Sequence, residues 1–174
     1  MKSNNALASH QRIIDAVDAG FEAQLDFTAD LVRFPSVRGQ EGTCQDFLHD
    51  AYRARGYSVD RWKIDPCEIE HHPGFSPVDV SYEQAINVVA TYRPRSQKGR
   101  SLILNGHVDV VPTGPVSLWQ RPPFDPYFDD TWLYGRGAGD MKAGLAANLF
   151  ALDALRSLGL QPAAPVHLQS VTEE

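Results

Sequence analysis

Three short segments of the sequence combine residue types that can do chemistry. The first is His107-Val108-Asp109, which directly follows a stretch of apolar residues typical of a buried strand. In an extended backbone, residues two apart point to the same side, so we expect the imidazole and the carboxylate to lie side by side. Such a carboxylate can accept the second N–H of the imidazole and leave the other nitrogen free for a metal ion. For this pair taken alone, a surface histidine beside a solvated aspartate is the open alternative.

The second segment is a glycine-rich turn over residues 135–144 that carries Asp140. A dinucleotide-binding turn would need a glycine where Asp140 stands, and a phosphate-binding loop would need a lysine where Leu145 stands. Both phosphate-binding interpretations therefore fail. We expect Asp140 at the N-terminus of the following helix, where a cap would explain the carboxylate but not the three glycines that clear space around it.

The third segment is Glu173-Glu174, which follows a predicted strand. Taken alone, it is a solvated tail. In a parallel sheet, however, Asp109, Asp140 and both glutamates lie at or beyond the carboxyl ends of strands, where α/β domains place their sites. Carboxylates gathered in one cleft repel one another unless some are protonated or a cation lies among them. Imidazole and carboxylates without thiolates suit Zn²⁺, Mn²⁺ or Co²⁺, and the surplus of acids suggests two ions that share a ligand.

The elements that position these segments follow the pattern of an α/β domain. Apolar periodicity predicts helices over about 13–34, 43–55 and 141–158, and β-forming residues predict strands over 57–64, 87–92, 101–105, 132–134 and 166–171. The order strand, helix, strand predicts a mixed, largely parallel sheet covered by helices. The stretch 65–84, which contains His71-His72, is expected to be an exposed irregular loop rather than a second metal site, and 111–130 a proline-rich loop.

Composition excludes several classes of protein. The chain has 174 residues, of which 43% are hydrophobic and 22% charged, which is typical of a globular domain. Its net charge of −6 makes nucleic acid a poor partner. We find neither the ~20 apolar residues that a membrane span needs nor a signal peptide. Cys44 and Cys67 lack metal-binding spacing and are predicted to be unlinked thiols of a cytoplasmic protein.

Read together, the segments resemble a known family. Three segments occur in the order that this family has them: Gly106 to Pro112, Gly135 to Gly144 and Val171 to Glu174. The lead-in Phe34 to Val37 and the loop Trp119 to Pro126 fit the same pattern. The family is the di-zinc aminoacylases and exopeptidases, which include acetylornithine deacetylase, succinyl-diaminopimelate desuccinylase, aminoacylase-1 and carboxypeptidase G.

The resemblance implies a role for each candidate residue. His107 would bind one metal ion, Glu174 the other, and Asp140 would bridge the two. Asp109 would orient His107, and Glu173 would be the general base that takes a proton from the water attacking an amide carbonyl. The ions are expected to be zinc, with cobalt or manganese as alternatives.

The resemblance also covers only the front of the family's catalytic domain. We therefore interpret residues 1–174 as an N-terminal portion that lacks a further acidic ligand, a later histidine and a smaller domain for dimer contacts and substrate binding. Each ion would keep two protein ligands, so this chain alone is expected to bind metal weakly and to be nearly inactive, whereas the full-length protein would be a homodimer. The peptide bond between Asp140 and Met141 is expected to be cis, as in the family.

The predicted function is a metal-dependent amide hydrolase that removes an acyl group from an N-acyl amino acid, in the manner of acetylornithine deacetylase. A short peptide or a carbamoyl-amino acid is an open substrate within the same class. From another class, the alternative is a truncated, non-catalytic remnant or a metal-binding interaction module of the same fold. A nucleotide-binding domain is disfavoured by the failed glycine spacings, and neither nucleic acid nor a membrane is expected as a partner.

Overall fold

The computed structural model describes residues 2–77 and 80–172, which form one mixed sheet with helices packed on it. The helices are α1 (Lys2–Val32), α2 (Gly42–Ala54), α3 (Pro66–Ile69) and α4 (Ala143–Ser157). The strands are β1 (Ser58–Lys63), β2 (Ile86–Tyr92), β3 (Leu102–His107), β4 (Tyr127–Phe128), β5 (Leu133–Tyr134) and β6 (Val166–Val171). Most of these bounds agree with the predicted ones to within two residues.

The four-stranded sheet has the order β1-β2-β6-β3, and β4 and β5 form a separate two-stranded hairpin. β6 pairs antiparallel with β2 and parallel with β3, and β1 pairs antiparallel with β2. The mixed α/β sheet is thus confirmed, but a smaller part of it is parallel than predicted. The reason is that the crossover through α4 joins β3 to β6 alone, while β1 and β2 are joined by the excursion over 64–85 without a long helix.

The core lies between one face of the sheet and helices α1, α2 and α4. Along β2, Ile86, Val88 and Ala90 are buried and alternate with half-buried residues, as expected for a strand covered on one side. Phe27 of α1 contacts Phe47 of α2 and a phenylalanine of α4, so the three helices share one aromatic cluster. This packing brings the C-terminal end of α1 under the turn that precedes α4.

Three local predictions need correction. α1 begins at Lys2 rather than near Ile13, because apolar periodicity marks where a helix packs and not where its backbone starts. α4 begins at Ala143 rather than Met141. The excursion contains α3 and a short turn over Tyr82–Gln84, and the two residues 78–79 lie outside the described part of the chain.

The structure also shows where the cysteines and a histidine of the excursion lie. Cys44 is buried, Cys67 is exposed, and neither forms a disulfide. His71 of the excursion has an exposed side chain. Within the described residues, no helix is long and apolar enough to cross a membrane.

Candidate metal centre

His107 and Asp109 lie side by side at the carboxyl end of β3, as predicted. Both are buried, with 5% and 6% of their surface exposed. The Nδ1 atom of His107 lies 3.0 Å from the backbone carbonyl oxygen of Asp109 and 3.4 Å from its carboxylate Oδ1. The carbonyl is therefore the nearer acceptor, and the carboxylate adds to it. A proton on Nδ1 leaves Nε2 as the ring nitrogen with a free lone pair, which is the tautomer that a metal ion needs.

The backbone around these two residues is held from both sides. The amide of Val108 donates to the carbonyl of Val171 at 3.0 Å. On the other side, the Ser36 hydroxyl donates to the carbonyl of Val108 at 2.6 Å, and the amide of Val110 donates to the carbonyl of Ser36 at 2.9 Å. Because Ser36 is itself fully buried, it fixes the strand end in the protein interior. The sequence analysis did not assign Ser36 a role, although it lies in the Phe34 to Val37 lead-in.

Asp140 faces His107 across the site. Its Oδ1 atom lies 3.2 Å from His107 Nε2, the other ring nitrogen from the one that contacts Asp109. The Asp140 side chain is 81% exposed, so the carboxylate lies at the mouth of a cleft whose floor is the buried imidazole. The buried nitrogen of His107 and the solvent-facing oxygen of Asp140 can both bind a metal ion, and they face each other across the cleft.

The turn that carries Asp140 is not the helix cap that the sequence suggested. Asp140 and Met141 have non-helical backbone angles, and the residue directly before α4 is Lys142. The peptide bond between Asp140 and Met141 is cis, which confirms the expectation drawn from the resemblance. Capping therefore does not explain this carboxylate, and its position next to His107 does.

Gly137 allows the turn to approach the end of β3. Its φ of 78° lies in the left-handed region, and a Cβ placed on it would lie 2.4 Å from Val110 Cγ1. A side chain at this position would separate the turn from the segment that follows Asp109. The glycine is thus explained by close packing against Val110, which is a different reason from the predicted clearing of space around Asp140.

The cleft itself is small and carries one basic side chain among its described lining residues. Its volume is about 210 Å³, and it contains His107, Asp109, Asp140 and Arg136. The Arg136 guanidinium stacks on the Trp119 ring at 5.2 Å and donates to the Pro112 carbonyl at 3.3 Å. Arg136 therefore ties the loop after Asp109 to the turn before Asp140, a role that sequence reasoning missed.

A larger, aromatic cavity adjoins this cleft. Its volume is about 630 Å³, and it shares Gly135, Ala138 and Gly139 with the cleft. Its aromatic lining includes the rings of Tyr127 and Tyr134, which stack at 4.8 Å. The glycine turn is therefore a wall common to both spaces.

Glu173 and Glu174, the predicted base and the second metal ligand, lie outside the described residues. The structure does describe the strand that leads to them. Val171 is the register partner of His107 in the parallel pair of β3 and β6, and the Thr172 amide donates to Asn87 Oδ1 at 3.1 Å. β6 thus ends beside His107, at the edge of the sheet that carries the cleft.

The donor set fits a divalent metal ion as far as it is described. Nitrogen and oxygen donors without thiolates are the ligands of Zn²⁺, Co²⁺ or Mn²⁺ sites. Among residues 2–77 and 80–172, however, no three His, Cys, Asp or Glu side chains converge enough to hold an ion by themselves. His107 and Asp140 would therefore need a further ligand from outside these ranges.

Comparisons with known proteins identify the class to which this site belongs. Residues 103–174, which contain every candidate site residue, match peptidase family M20/M25/M40. This part of the chain is similar to that family of peptidases.

The most similar relatives include desuccinylases. The chain is 37% identical over 130 residues to succinyl-diaminopimelate desuccinylase of Methylobacillus flagellatus, covering 75% of this chain and 29% of that protein. It is 31% identical over 147 residues to the enzyme of the same name from Acidovorax ebreus, covering 84% of this chain and 35% of that protein. The chain thus spans about a third of the length of the curated relatives it matches.

Solved structures show the same fold. Human carnosine dipeptidase 1 superposes with a TM-score of 0.73 at 20% identity, covering 92% of this chain and 34% of that one. An M20 family metallo-carboxypeptidase from Sulfolobus solfataricus superposes with a TM-score of 0.68 at 22% identity, covering 87% of this chain and 31% of that one. These similarities confirm the predicted fold class.

Proposed function

We propose that this chain is part of a metal-dependent amide hydrolase that removes an acyl group from an N-acyl amino acid. The observation that carries the proposal is the 3.2 Å approach of Asp140 Oδ1 to His107 Nε2, with Nδ1 of the same ring turned towards Asp109. A buried imidazole whose Nε2 faces a solvent-facing carboxylate can form the beginning of a metal centre. The desuccinylase relatives favour a succinylated amino acid over the acetylornithine-like substrate expected from the sequence.

The residues of this chain would divide the work as follows. His107 and Glu174 would each hold one divalent ion, zinc by preference, and Asp140 would bridge them. The ions would lower the pKa of water and polarise the amide carbonyl. Asp109 would keep the proton of His107 on Nδ1, and Glu173 would accept the proton of the attacking water.

We further propose that residues 1–174 are the N-terminal portion of the catalytic domain of a longer protein. That protein would be a cytoplasmic homodimer acting on a small N-acyl amino acid or short peptide. The two unlinked thiols support a reducing compartment. Because a catalytic zinc takes about three protein ligands, we expect this chain alone to bind metal weakly and to hydrolyse amides slowly or not at all.

Zn²⁺ titration of the chain tests the metal centre. We expect His107→Ala to weaken Zn²⁺ binding at least tenfold, because it removes the buried nitrogen donor. His71→Ala is the matched control, since it removes an imidazole that is 90% exposed in the excursion. Equal Zn²⁺ affinity of His107→Ala and the wild-type chain would refute the proposed centre, and a loss confined to His71→Ala would place the metal in the excursion.

Hydrolysis of N-succinyl amino acids by the longer protein tests the reaction. Glu173→Ala should lower kcat by about 10²–10⁴-fold, the usual contribution of a general base, with Zn²⁺ content unchanged. Unchanged turnover would remove the role of Glu173. A longer protein that binds Zn²⁺ through His107 but hydrolyses no acyl amino acid or dipeptide would instead support the non-catalytic alternative.

A further inference from the structure

Lys142 lies two residues after Asp140 and is fully buried, with 0% of its surface exposed. Its Nζ atom donates to the carbonyl of Leu31 at 3.0 Å and to the carbonyl of Phe34 at 2.8 Å. A side chain of the site turn is thus bonded to the end of a helix more than a hundred residues earlier in the chain.

These carbonyls are natural partners for an ammonium group. The Leu31 carbonyl lies in the last turn of α1 and the Phe34 carbonyl just beyond it, at the negative end of the helix dipole, and they also accept from the amides of Phe34 and Ser36. The last turn of α1, all of it within the described residues, has no basic side chain of its own. Lys142 therefore supplies from a distance the cation that usually comes from the helix itself.

The other end of Lys142 is held within the turn. Its backbone amide donates to the carbonyl of Gly137 at 3.0 Å, which closes the turn around Asp140. The Lys142 stem also packs beside Gly137, because a Cβ placed there would lie 3.5 Å from Lys142 Cδ. Asp140 therefore lies in a loop that is closed by the Lys142 amide and anchored to α1 by the Lys142 ammonium.

We propose that Lys142 is a positioning residue that holds the Asp140 carboxylate at His107 Nε2. The turn has non-helical angles at Asp140 and Met141, so the backbone of α4 does not fix their direction. The two Nζ hydrogen bonds provide a fixed point for that turn in the protein interior. The metal-related part of this inference rests on the proposed function, in which Asp140 bridges the ions.

Crystal structures and Zn²⁺ titrations of two variants test the proposal. Lys142→Met keeps the length of the stem and removes the donors. Leu152→Ala is the control, because it opens a cavity in the buried part of α4, away from the turn. We expect Lys142→Met alone to move Asp140 Oδ1 out of hydrogen-bond reach of His107 Nε2 and to weaken Zn²⁺ binding by about 10–100-fold, as loss of a ligand-orienting group does.

Two results with folded variants would overturn the positioning role. One is a Lys142→Met structure in which the 3.2 Å contact persists. The other is an equal loss of Zn²⁺ affinity in Leu152→Ala, which would assign the effect to general destabilisation. If Lys142→Met and Lys142→Gln both fail to fold while Leu152→Ala folds, Lys142 is a folding determinant and the proposal is likewise rejected.

The metal and positioning questions can be answered separately. If the wild-type chain binds no Zn²⁺, the proposed metal centre fails, while the distance between His107 and Asp140 in the variant structures still decides the role of Lys142. The wild-type chain also offers a direct signature, because the sequence contains four lysines. A slowly exchanging ammonium signal in ¹⁵N-lysine spectra should come from Lys142 and disappear in Lys142→Met, and its absence from the wild-type spectrum would contradict the two carbonyl contacts.

Discussion

The close approach at Gly137 leads to a quantitative prediction for Gly137→Ala. Two costs add at this position. A non-glycine residue in the left-handed region costs about 1–2 kcal/mol, and φ here is 78°. The new Cβ would also lie 2.4 Å from Cγ1 of the buried Val110, and forcing such an overlap costs about 1–3 kcal/mol.

The expected loss of unfolding free energy is therefore about 2–5 kcal/mol. For a chain of this size, 1 kcal/mol lowers Tm by about 2–4 °C, so Tm should fall by about 4–20 °C. Urea unfolding followed by circular dichroism measures the same change as a lower midpoint with an unchanged slope. Gly139→Ala is the matched control, because a Cβ there meets open space among the described residues and should change stability by less than ~1 kcal/mol.

A double-mutant cycle separates the two costs. Val110→Ala removes the clashing methyl group but leaves the backbone angle at Gly137 unchanged. We expect Val110→Ala to be less destabilising in the Gly137→Ala background than in the wild-type chain, with a coupling of about 0.5–3 kcal/mol. Zero coupling, or equal stability of Gly137→Ala and Gly139→Ala, would refute the packing explanation for this glycine.

Two further predictions concern buried groups. Burial raises the pKa of the Cys44 thiol to about 11, so N-ethylmaleimide at pH 8 should modify the exposed Cys67 and leave Cys44 intact until the chain unfolds. The stability that comes from the neutral Cys44 thiol is complete below the ordinary thiol pKa of ~8.5 and is lost as the pH rises towards 11, because the thiol of the unfolded chain ionises at a lower pH than that of the folded chain. A Cys44→Ser variant with the same alkaline unfolding profile would contradict this. Ser36→Ala should cost about 1–3 kcal/mol in urea unfolding, because it leaves the buried Val108 carbonyl without its hydroxyl donor, whereas Ser101→Ala, at an exposed position, should change stability by less than ~0.5 kcal/mol.

The sequence alone was sufficient for features that depend on near neighbours. The bounds of α2, β2 and β6 agree with prediction because a helix or strand with one buried face has a readable apolar period. The pairing of His107 with Asp109 also followed from local geometry, since residues two apart in a strand share a side. The family could be recognised from short segments because their residue types and order are preserved along the chain.

Tertiary structure decided what depends on partners far away in sequence. Apolar periodicity could not show that the Lys142 ammonium is buried against the carbonyls of Leu31 and Phe34. It also could not show that β6 lies between β2 and β3, which brings the end of β6 beside His107. Periodicity reports how much of each element is buried but not which distant atoms bury it, so the partners that set the geometry of this site became visible only in the folded chain.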